Sequence, residues 1–595
     1  MKFPYALSDF GTLRREGYFY QDRSDRLAQL EETGRQLIFI RPRRFGKTLL
    51  LSMLEHYYDV NRADEFEVLF GDLAVGRNPT PRHNRYLVLK WDFSLVKAQG
   101  SLQEVEAALH RHVNDQLDQF VARYGERLRH AVTIHPTDAV ASLGSACFAC
   151  RESGQTIYLL IDEYDNFANE LLMVGRKQTD YERLLYGEGE LKRLFKAVKA
   201  GAARGIDRVF ITGVSPVVLS DMTSGYNVGE DIYLKADFND LCGFTETEIA
   251  DALEQLATEV TDRDWTPSEA LELMRTYYNG YRFAMRAQER LYNPTLSLYF
   301  LKNLQTEGRY PDEMLDENLA MDRGKLGYIA ELPHGEELVA QSLDGESGIV
   351  IPQLARRFGV ADVLNAVKDQ PFMASLLYYF GVLTQTGRTD FLETVLNIPN
   401  LVARSLYVER LQERWLATYE DKTRVPELRK QVFRTGDLSP LVAFIEDRYF
   451  PILSNRDYRW SNELMVKLAF LTLLFDDRLY MMVSETEMDH GYVDLSLIRR
   501  LDRRTLPALD LLLEFKYVGL QQIKLTGEQA RNRTMDELAA LPVVKRELET
   551  AAEQARRYGR ALSERYGLSD LRLYAVVGVG LERVVWQAVD VSHTF

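Results

Sequence analysis

The chain of 595 residues is 46% hydrophobic and 27% charged, with 32 Tyr and 28 Phe, which excludes disorder over most of its length. A formal net charge of −15, from 73 basic and 88 acidic side chains, excludes a global positive field, so any nucleic-acid binding has to use a local basic surface. Three cysteines exclude a disulfide framework. The start reaches Asp9 before any signal-like apolar core develops, and no uncharged apolar run of about 18 residues follows. These features predict a cytoplasmic protein with no membrane partner, and single cores rarely exceed about 250–300 residues, so two to four domains are expected.

Short apolar runs at 37–40, 86–90, 157–161 and 208–212 alternate with helical patterns through the first 240 residues. The alternation predicts a parallel α/β sheet with ligands at the carboxyl ends of its strands. The first run leads into Arg-Pro-Arg-Arg-Phe-Gly-Lys-Thr at 41–48 and then into a helical pattern from Leu49. Strand, loop and helix in that order are the setting of a phosphate-binding P-loop. A helix N-terminus offers unpaired N–H groups to phosphate, Lys47 adds a charge and Thr48 offers a hydroxyl to Mg²⁺. Arg41 stands where G-x-x-x-x-G-K-[ST] has its first glycine. The third run ends in Asp162-Glu163, a pairing suited to holding Mg²⁺ through the Asp and polarising water through the Glu. The fourth ends in Thr212-Gly213-Val214-Ser215, whose hydroxyls either sense a γ-phosphate or cap the next turn. Cys147 and Cys150 form a C-x-x-C pair in an apolar helical stretch with no second pair, and read as small buried residues one turn apart.

From about 240 to 446 the pattern is mostly helical, as at 268–277, 361–367 and 401–419. A helix at 463–475 then leads to strand-like runs at 480–485, 492–498, 509–516 and 571–579, a second α/β unit. Glu514-Phe515-Lys516 closes an apolar strand, and period-two geometry puts Glu514 and Lys516 on one face. Asp494, in a strand-like run at 492–495, would pair with it as a hairpin across the polar stretch 499–504. Two carboxylates and an ammonium at one sheet edge suit metal-dependent phosphodiester hydrolysis; the plainer alternative is a charge pair on a surface strand. Glu463 sits on the preceding helix, and Gln554 opens a basic helix carrying Arg556, Arg557 and Arg560.

Further pieces are Gly17-Tyr18-Phe19-Tyr20-Gln21-Asp22, Asp162-Glu163-Tyr164-Asp165, Leu241-Cys242-Gly243-Phe244-Thr245, Tyr278-Asn279-Gly280-Tyr281-Arg282-Phe283 and Tyr292-Asn293-Pro294. With the loop at 41–48, this ordered set resembles the bacterial AAA-ATPase-like proteins that carry a C-terminal PD-(D/E)XK nuclease domain. Arg41 is that family's form of the loop. One departure is Asp22-Arg23-Ser24, where the family usually has Asp-Lys-Thr. The resemblance implies an α/β architecture in three parts: an AAA-like P-loop ATPase domain over 1–240, a mostly helical middle region over 241–445, and a restriction-endonuclease-like α/β domain over 446–595. It implies ATP and Mg²⁺ as cofactors. The nucleotide-binding set is Arg41, Arg44, Phe45, Gly46, Lys47, Thr48, Asp162 and Thr212, with Thr48 and Asp162 on the metal and Glu163 catalytic. In the C-terminal domain it implies Asp494 and Glu514 as metal ligands, Lys516 as catalytic lysine and Glu463 as an auxiliary acid.

The function that follows is ATP binding and hydrolysis controlling Mg²⁺-dependent cleavage of DNA or RNA, in defence against foreign nucleic acid. The alternative is a non-nucleolytic, ATP-dependent switch or remodeller whose nuclease-like domain only binds nucleic acid or a protein. AAA-type relatives often assemble so that a neighbour's arginine completes the site, which makes a homo-oligomer the expectation and Arg282 a candidate, against a structural ion pair.

Overall fold

A computed structural model describes residues 1–97, 101–166, 189–216, 226–315, 323–332, 334–344, 348–356, 369–416, 418–451, 462–483, 487–488 and 491–590. The chain folds into two compact units. The N-terminal unit is 1–271 with 279–308 and 351–396, and the C-terminal unit is 272–278, 309–350 and 397–595. The helical stretch after residue 240 is thus shared between them. The expected helix at 361–367 and the last residues of the expected strand at 480–485 lie outside the described residues.

In the N-terminal unit the apolar runs become β1 (Gln36–Ile40), β2 (Leu87–Asp92), β3 (Ile157–Asp162) and β4 (Ile206–Gly213), with a short β5 (Glu230–Asp231). All pair in parallel, in the order β2-β3-β4-β1-β5. A parallel sheet is covered on both faces, which is why β3 is buried at every position and reads as a continuous apolar run. Because β4 lies between β1 and β3, the carboxyl ends of these three strands converge: the Arg41 N–H donates to the Gly213 carbonyl (3.2 Å) and the Tyr164 N–H to that of Thr212 (3.1 Å). Gly213 is required by space at this junction, since a Cβ would lie 2.4 Å from the Tyr164 ring.

Helix α1 (Lys47–Tyr58) follows the loop. Its Tyr58 ring packs against Tyr158 of β3 at 4.9 Å, and Tyr86 packs at 5.7 Å, so an aromatic cluster fixes the helix on the sheet. Helix α2 (Ala139–Glu152) buries Cys147 and Cys150, whose thiols burial pushes up to about 12, in keeping with the packing reading of that pair. Helix α3 (Glu246–Glu259) opens with a capping box in which Thr245 and Glu248 exchange side-chain and backbone bonds.

The C-terminal unit holds a mixed sheet of β6 (Tyr480–Val483), β7 (Leu495–Arg499), β8 (Asp510–Val518), β9 (Leu571–Val579) and β10 (Arg583–Val589), ordered β10-β9-β8-β7-β6. β7 and β8 pair antiparallel, as the hairpin reading requires, and β8 and β9 pair in parallel. A parallel pair needs a crossover, supplied by α5 (Pro542–Tyr566), whose Gly559 sits against Leu573 of β9. Helix α4 (Asn462–Leu474) packs on the sheet through Phe470 against Phe515, ring centroids 5.2 Å apart. Two sequence readings are corrected here. Asp494 lies in the break before β7, not within a strand, and Gln554 lies in the middle of α5, twelve residues after its proline N-terminus at Pro542.

Phe515 is fully buried and its ring is the contact between β8 and α4. Phe515→Ala is therefore expected to destabilise the C-terminal unit by about 3–5 kcal/mol, read as a lowered urea midpoint. A midpoint within error of wild type would show that the ring is not a core anchor.

Candidate nucleotide and metal sites

β1 hands the chain to residues 41–46, where Arg44 (φ 66°) and Gly46 (φ 92°) adopt left-handed backbone and turn the loop into α1. A Cβ at Gly46 would meet nothing within 4 Å, so conformation, not space, calls for glycine. Lys47 and Thr48, the first residues of α1, line a cavity of about 340 Å³ with Tyr20, Glu163, Gly243 and Thr295. The first-turn N–H groups of a helix have no intrahelical partners, so this end of the cavity favours an anion. The Lys47 side chain is 5% exposed, and its ammonium donates to the carbonyls of Arg41 (2.9 Å) and Pro42 (3.0 Å). Burial pulls its pKa down, while Glu163, Asp162 and Asp165 oppose that.

Asp162, at the end of β3, is held from both sides. Thr48 Oγ1 donates to its Oδ2 at 2.9 Å and Thr212 Oγ1 to its Oδ1 at 2.6 Å. The structure so brings Thr48, Asp162 and Thr212 together, and gives Thr212 the work of orienting a carboxylate. Glu163 lies beside them at φ 48°, a strained conformation for a side chain of its size, with its N–H on Asp162 Oδ1 at 3.0 Å. Burial raises its pKa and the Lys47 ammonium lowers it.

Arg41 does not present its charge to the loop. The guanidinium is 1% exposed and donates to the carbonyls of Ile40 (2.8 Å), Tyr233 (2.9 Å), Phe238 (2.7 Å) and Asn239 (3.1 Å). It is packed between the rings of Phe39 and Phe283, 4.4 and 4.2 Å from their centroids. Burial pushes its pKa down to about 10. Its expected role in binding phosphate is replaced by a structural one. Phe45 behaves likewise: its ring is 1% exposed and meets Tyr281 and Phe283 edge-on at 4.9 and 5.1 Å. Arg44 lines the cavity, and its carbonyl accepts from Thr295 Oγ1 at 2.9 Å.

Three supports went unassigned in the sequence. Asp165 is fully buried, its Oδ1 accepting from the Val214 N–H (3.0 Å) and its Oδ2 from the N–H and hydroxyl of Ser215 (2.7 and 2.8 Å). It ties the ends of β3 and β4 together. Asn239 accepts from the N–H groups of Phe283 and Ala284 (3.0 and 3.1 Å). Arg23, the departure from the family pattern, forks onto Glu248 (2.6 and 2.8 Å) and donates to the carbonyls of Asp240 (2.7 Å) and Gly243 (2.8 Å). That use of a planar fork is one a lysine cannot copy. Each of these residues stands inside or beside a quoted motif, which was the available signal. Arg282 donates to the Gln385 carbonyl at 3.0 Å, and its pKa is lowered by burial and by Arg290.

In the C-terminal unit the middle of β8 meets the break before β7. The Asp494 N–H donates to Glu514 Oε1 at 3.3 Å and the Phe515 N–H donates to Asp494 Oδ2 at 2.7 Å, so side chains continue the ladder where the strand stops. Asp494 and Glu514 are 5% and 2% exposed. Burial and the charge of Asp494 push the Glu514 carboxyl up to about 9. Sequence reasoning missed the cation beside them: Lys467 of α4, itself buried, lies 3.5 Å from Asp494 Oδ1. Lys516 donates to the Phe515 carbonyl at 2.9 Å and lies 4.0 Å from Glu463 Oε1. All four residues expected in this site are therefore close together. Of the arginines on α5, Arg556 donates to the Asp590 carbonyl and Arg557 stacks on Tyr558 at 4.6 Å.

Among the described residues no three His, Cys, Asp or Glu side chains gather into a metal cage. Mg²⁺ asks for less, usually one or two carboxylates with water and substrate completing the shell. Both donor sets fit that need. Thr48 and Asp162 put a hydroxyl and a carboxylate at one point, and Asp494 and Glu514 bring two buried carboxyl groups within reach of one cation. Among the described residues no helix is long and apolar enough to cross a membrane.

An uncharacterized protein from the vnfD 5′ region of Azotobacter chroococcum mcd 1 is 28% identical over 314 residues, which is 51% of this chain and 52% of that protein. The chain thus spans about half the length of the curated relative it matches. Solved structures with some likeness include the Aeropyrum pernix ORC1 protein in complex with DNA, at 13% identity and TM-score 0.27 over 68% of this chain and 96% of that one. Another is the Aeropyrum pernix ORC2 protein in ADPNP-ADP complexes, at 15% identity and TM-score 0.29 over 70% and 97%. Overlap this loose assigns no shared activity. The family model described as AAA-ATPase_like, predicted AAA-ATPase, matches residues 4–223, so the stretch that holds the loop, Asp162 and Thr212 is similar to that family.

Proposed function

We propose that the N-terminal unit binds and hydrolyses ATP and that its nucleotide state controls phosphodiester cleavage at Asp494, Glu514 and Lys516. The observation that carries the ATPase reading is the Lys47, Thr48, Asp162 and Thr212 constellation at the mouth of a cavity of nucleotide size. Lys47 would exchange its two carbonyl partners for phosphate oxygens. Thr48 and Asp162 would hold Mg²⁺, with Thr212 fixing the carboxylate. Glu163, made more basic by burial, would accept a proton from the attacking water at its carboxylate.

The nuclease reading is supported by the Asp494–Glu514 contact next to Lys516. These carboxylates would hold Mg²⁺, which when bound acidifies water and neutralises charge developing on the phosphate. Lys516 would orient the nucleophile, and Lys467 would hold the Asp494 carboxylate in place. Nucleic acid as the substrate, a role in defence and assembly into a homo-oligomer belong to this same reading. The second reading, a non-nucleolytic switch, is favoured by the partners Asp494 already has in Lys467 and the Phe515 N–H.

One set of variants separates the two, assayed for ATP binding, ATP hydrolysis and cleavage of DNA and RNA with Mg²⁺. Lys47→Ala is expected to weaken ATP binding roughly tenfold to a hundredfold, the value of a charge-assisted hydrogen bond of about 1.5–3 kcal/mol. Glu163→Gln is expected to keep ATP binding and to slow turnover by roughly 10²–10⁴. Glu514→Gln is expected to lose cleavage while hydrolysing ATP. Cleavage that persists in Glu514→Gln would remove the proposed nuclease site, ATP control that survives Lys47→Ala would remove the coupling, and a wild type that hydrolyses ATP but cuts nothing would favour the switch.

Glu514 also predicts a pH dependence. Its folded-state pKa, raised to about 9 from an ordinary 4.5, makes protonation part of the metal-free fold. Its contribution is complete below the unfolded value and is lost as pH rises toward about 9. In EDTA the C-terminal unit is thus expected to lose stability between pH 6 and pH 9, and Glu514→Gln to flatten that slope in urea titrations. A wild-type slope retained in Glu514→Gln would assign the dependence to another group.

A further inference from the structure

Away from the nucleotide cavity, the N-terminal unit has a second one of about 590 Å³, lined by Lys235, Asp237, Arg286, Gln353, Arg356 and Arg388 among others. Four cations face it against one carboxylate, in a chain whose net charge is −15. Lys235 is paired with Glu230. Arg286, Arg356 and Arg388 are exposed, and no ion pair among the described residues engages them. Like charges gathered around one hollow are unfavourable unless an opposite charge offsets them. Their gathering is explained by an anion outside the chain.

The lining also narrows the class of anion. A guanidinium is a planar fork matched to phosphate oxygens. The apolar part of the wall is Leu234, Met285, Leu354 and Leu392, with no Phe, Tyr or Trp among the lining residues to stack on a base. A cleft with phosphate forks and no stacking platform reads a backbone and not its bases. We propose that this cavity binds the sugar-phosphate backbone of nucleic acid without sequence preference. The site rests on nucleic acid as the partner in the function proposed above, but it does not depend on cleavage.

The test measures binding of the full chain to a fluorescently labelled single-stranded 20-mer and to a duplex, by anisotropy in EDTA across a range of salt. Wild type is compared with the Arg286→Ala/Arg356→Ala/Arg388→Ala triple variant, whose ATP hydrolysis checks its fold. At about 0.1 M salt the triple variant is expected to bind at least about tenfold more weakly. Three lost phosphate contacts should also make its log–log salt slope shallower by about 2. Equal affinity and slope in both proteins overturns the proposal, as does a wild type that binds neither nucleic acid in EDTA. Displacement of the 20-mer by inorganic pyrophosphate at matched phosphate concentration overturns it too, in favour of a small-phosphate site. A wild type that cleaves nothing but shows the expected difference leaves this site standing and removes only the nuclease reading.

Discussion

The burial of the Arg41 guanidinium is the constraint on which the nucleotide site is built. A permanent cation inside the protein has to be compensated, and here the compensation comes from four carbonyls and two aromatic faces, with no carboxylate among the direct partners. The carbonyls belong to residues 40, 233, 238 and 239, so one side chain fastens the entry of the phosphate loop to the segment that follows β5. Removing it would strand several buried acceptors at about 1–3 kcal/mol each. A glycine at this position would turn the chain, as the usual loop does, but could not make this connection. The loop is held by packing from outside where others are held by backbone economy within.

The C-terminal site works under the opposite balance. Asp494 and Glu514 approach within hydrogen-bonding reach where β7 breaks, with Lys467 beside Asp494. Burial and the charge of Asp494 outweigh the opposing charge of Lys516 and displace the titration of Glu514 upward. Two buried carboxyl groups this close are unfavourable for stability while both are charged. The break before β7 matters too: had the strand continued, the Asp494 backbone would have been spent on the ladder.

Much of this was legible in the sequence because it depends on local period. Parallel strands buried on both faces announce themselves as apolar runs, and β1 to β4 follow those runs to within about two residues. The hairpin of β7 and β8 was legible from its polar turn, and Glu514 and Lys516 from strand period. What stayed hidden depends on contacts between distant residues. Nothing local separates an arginine that binds phosphate from one that binds carbonyls 192 to 198 positions away. Lys467 was visible as a helical residue, but its partner lies 27 positions on, beyond any helical spacing. The break at Asp494 was hidden because the apolar and polar residues around it alternate as they would in an unbroken strand.

The resting position of Lys47 has its own consequence. Its ammonium is already satisfied by two carbonyls of the loop, so the cavity does not present an exposed positive charge to any anion. Ligand entry is an exchange of acceptors, and only the difference between old and new partners drives it. A lone phosphate ion offers little beyond what the carbonyls give. A triphosphate that also reaches the helix amides and the Thr48 hydroxyl offers several new contacts at once. On the proposed reading the loop would act as a threshold filter, quiet toward small anions and responsive to polydentate ones.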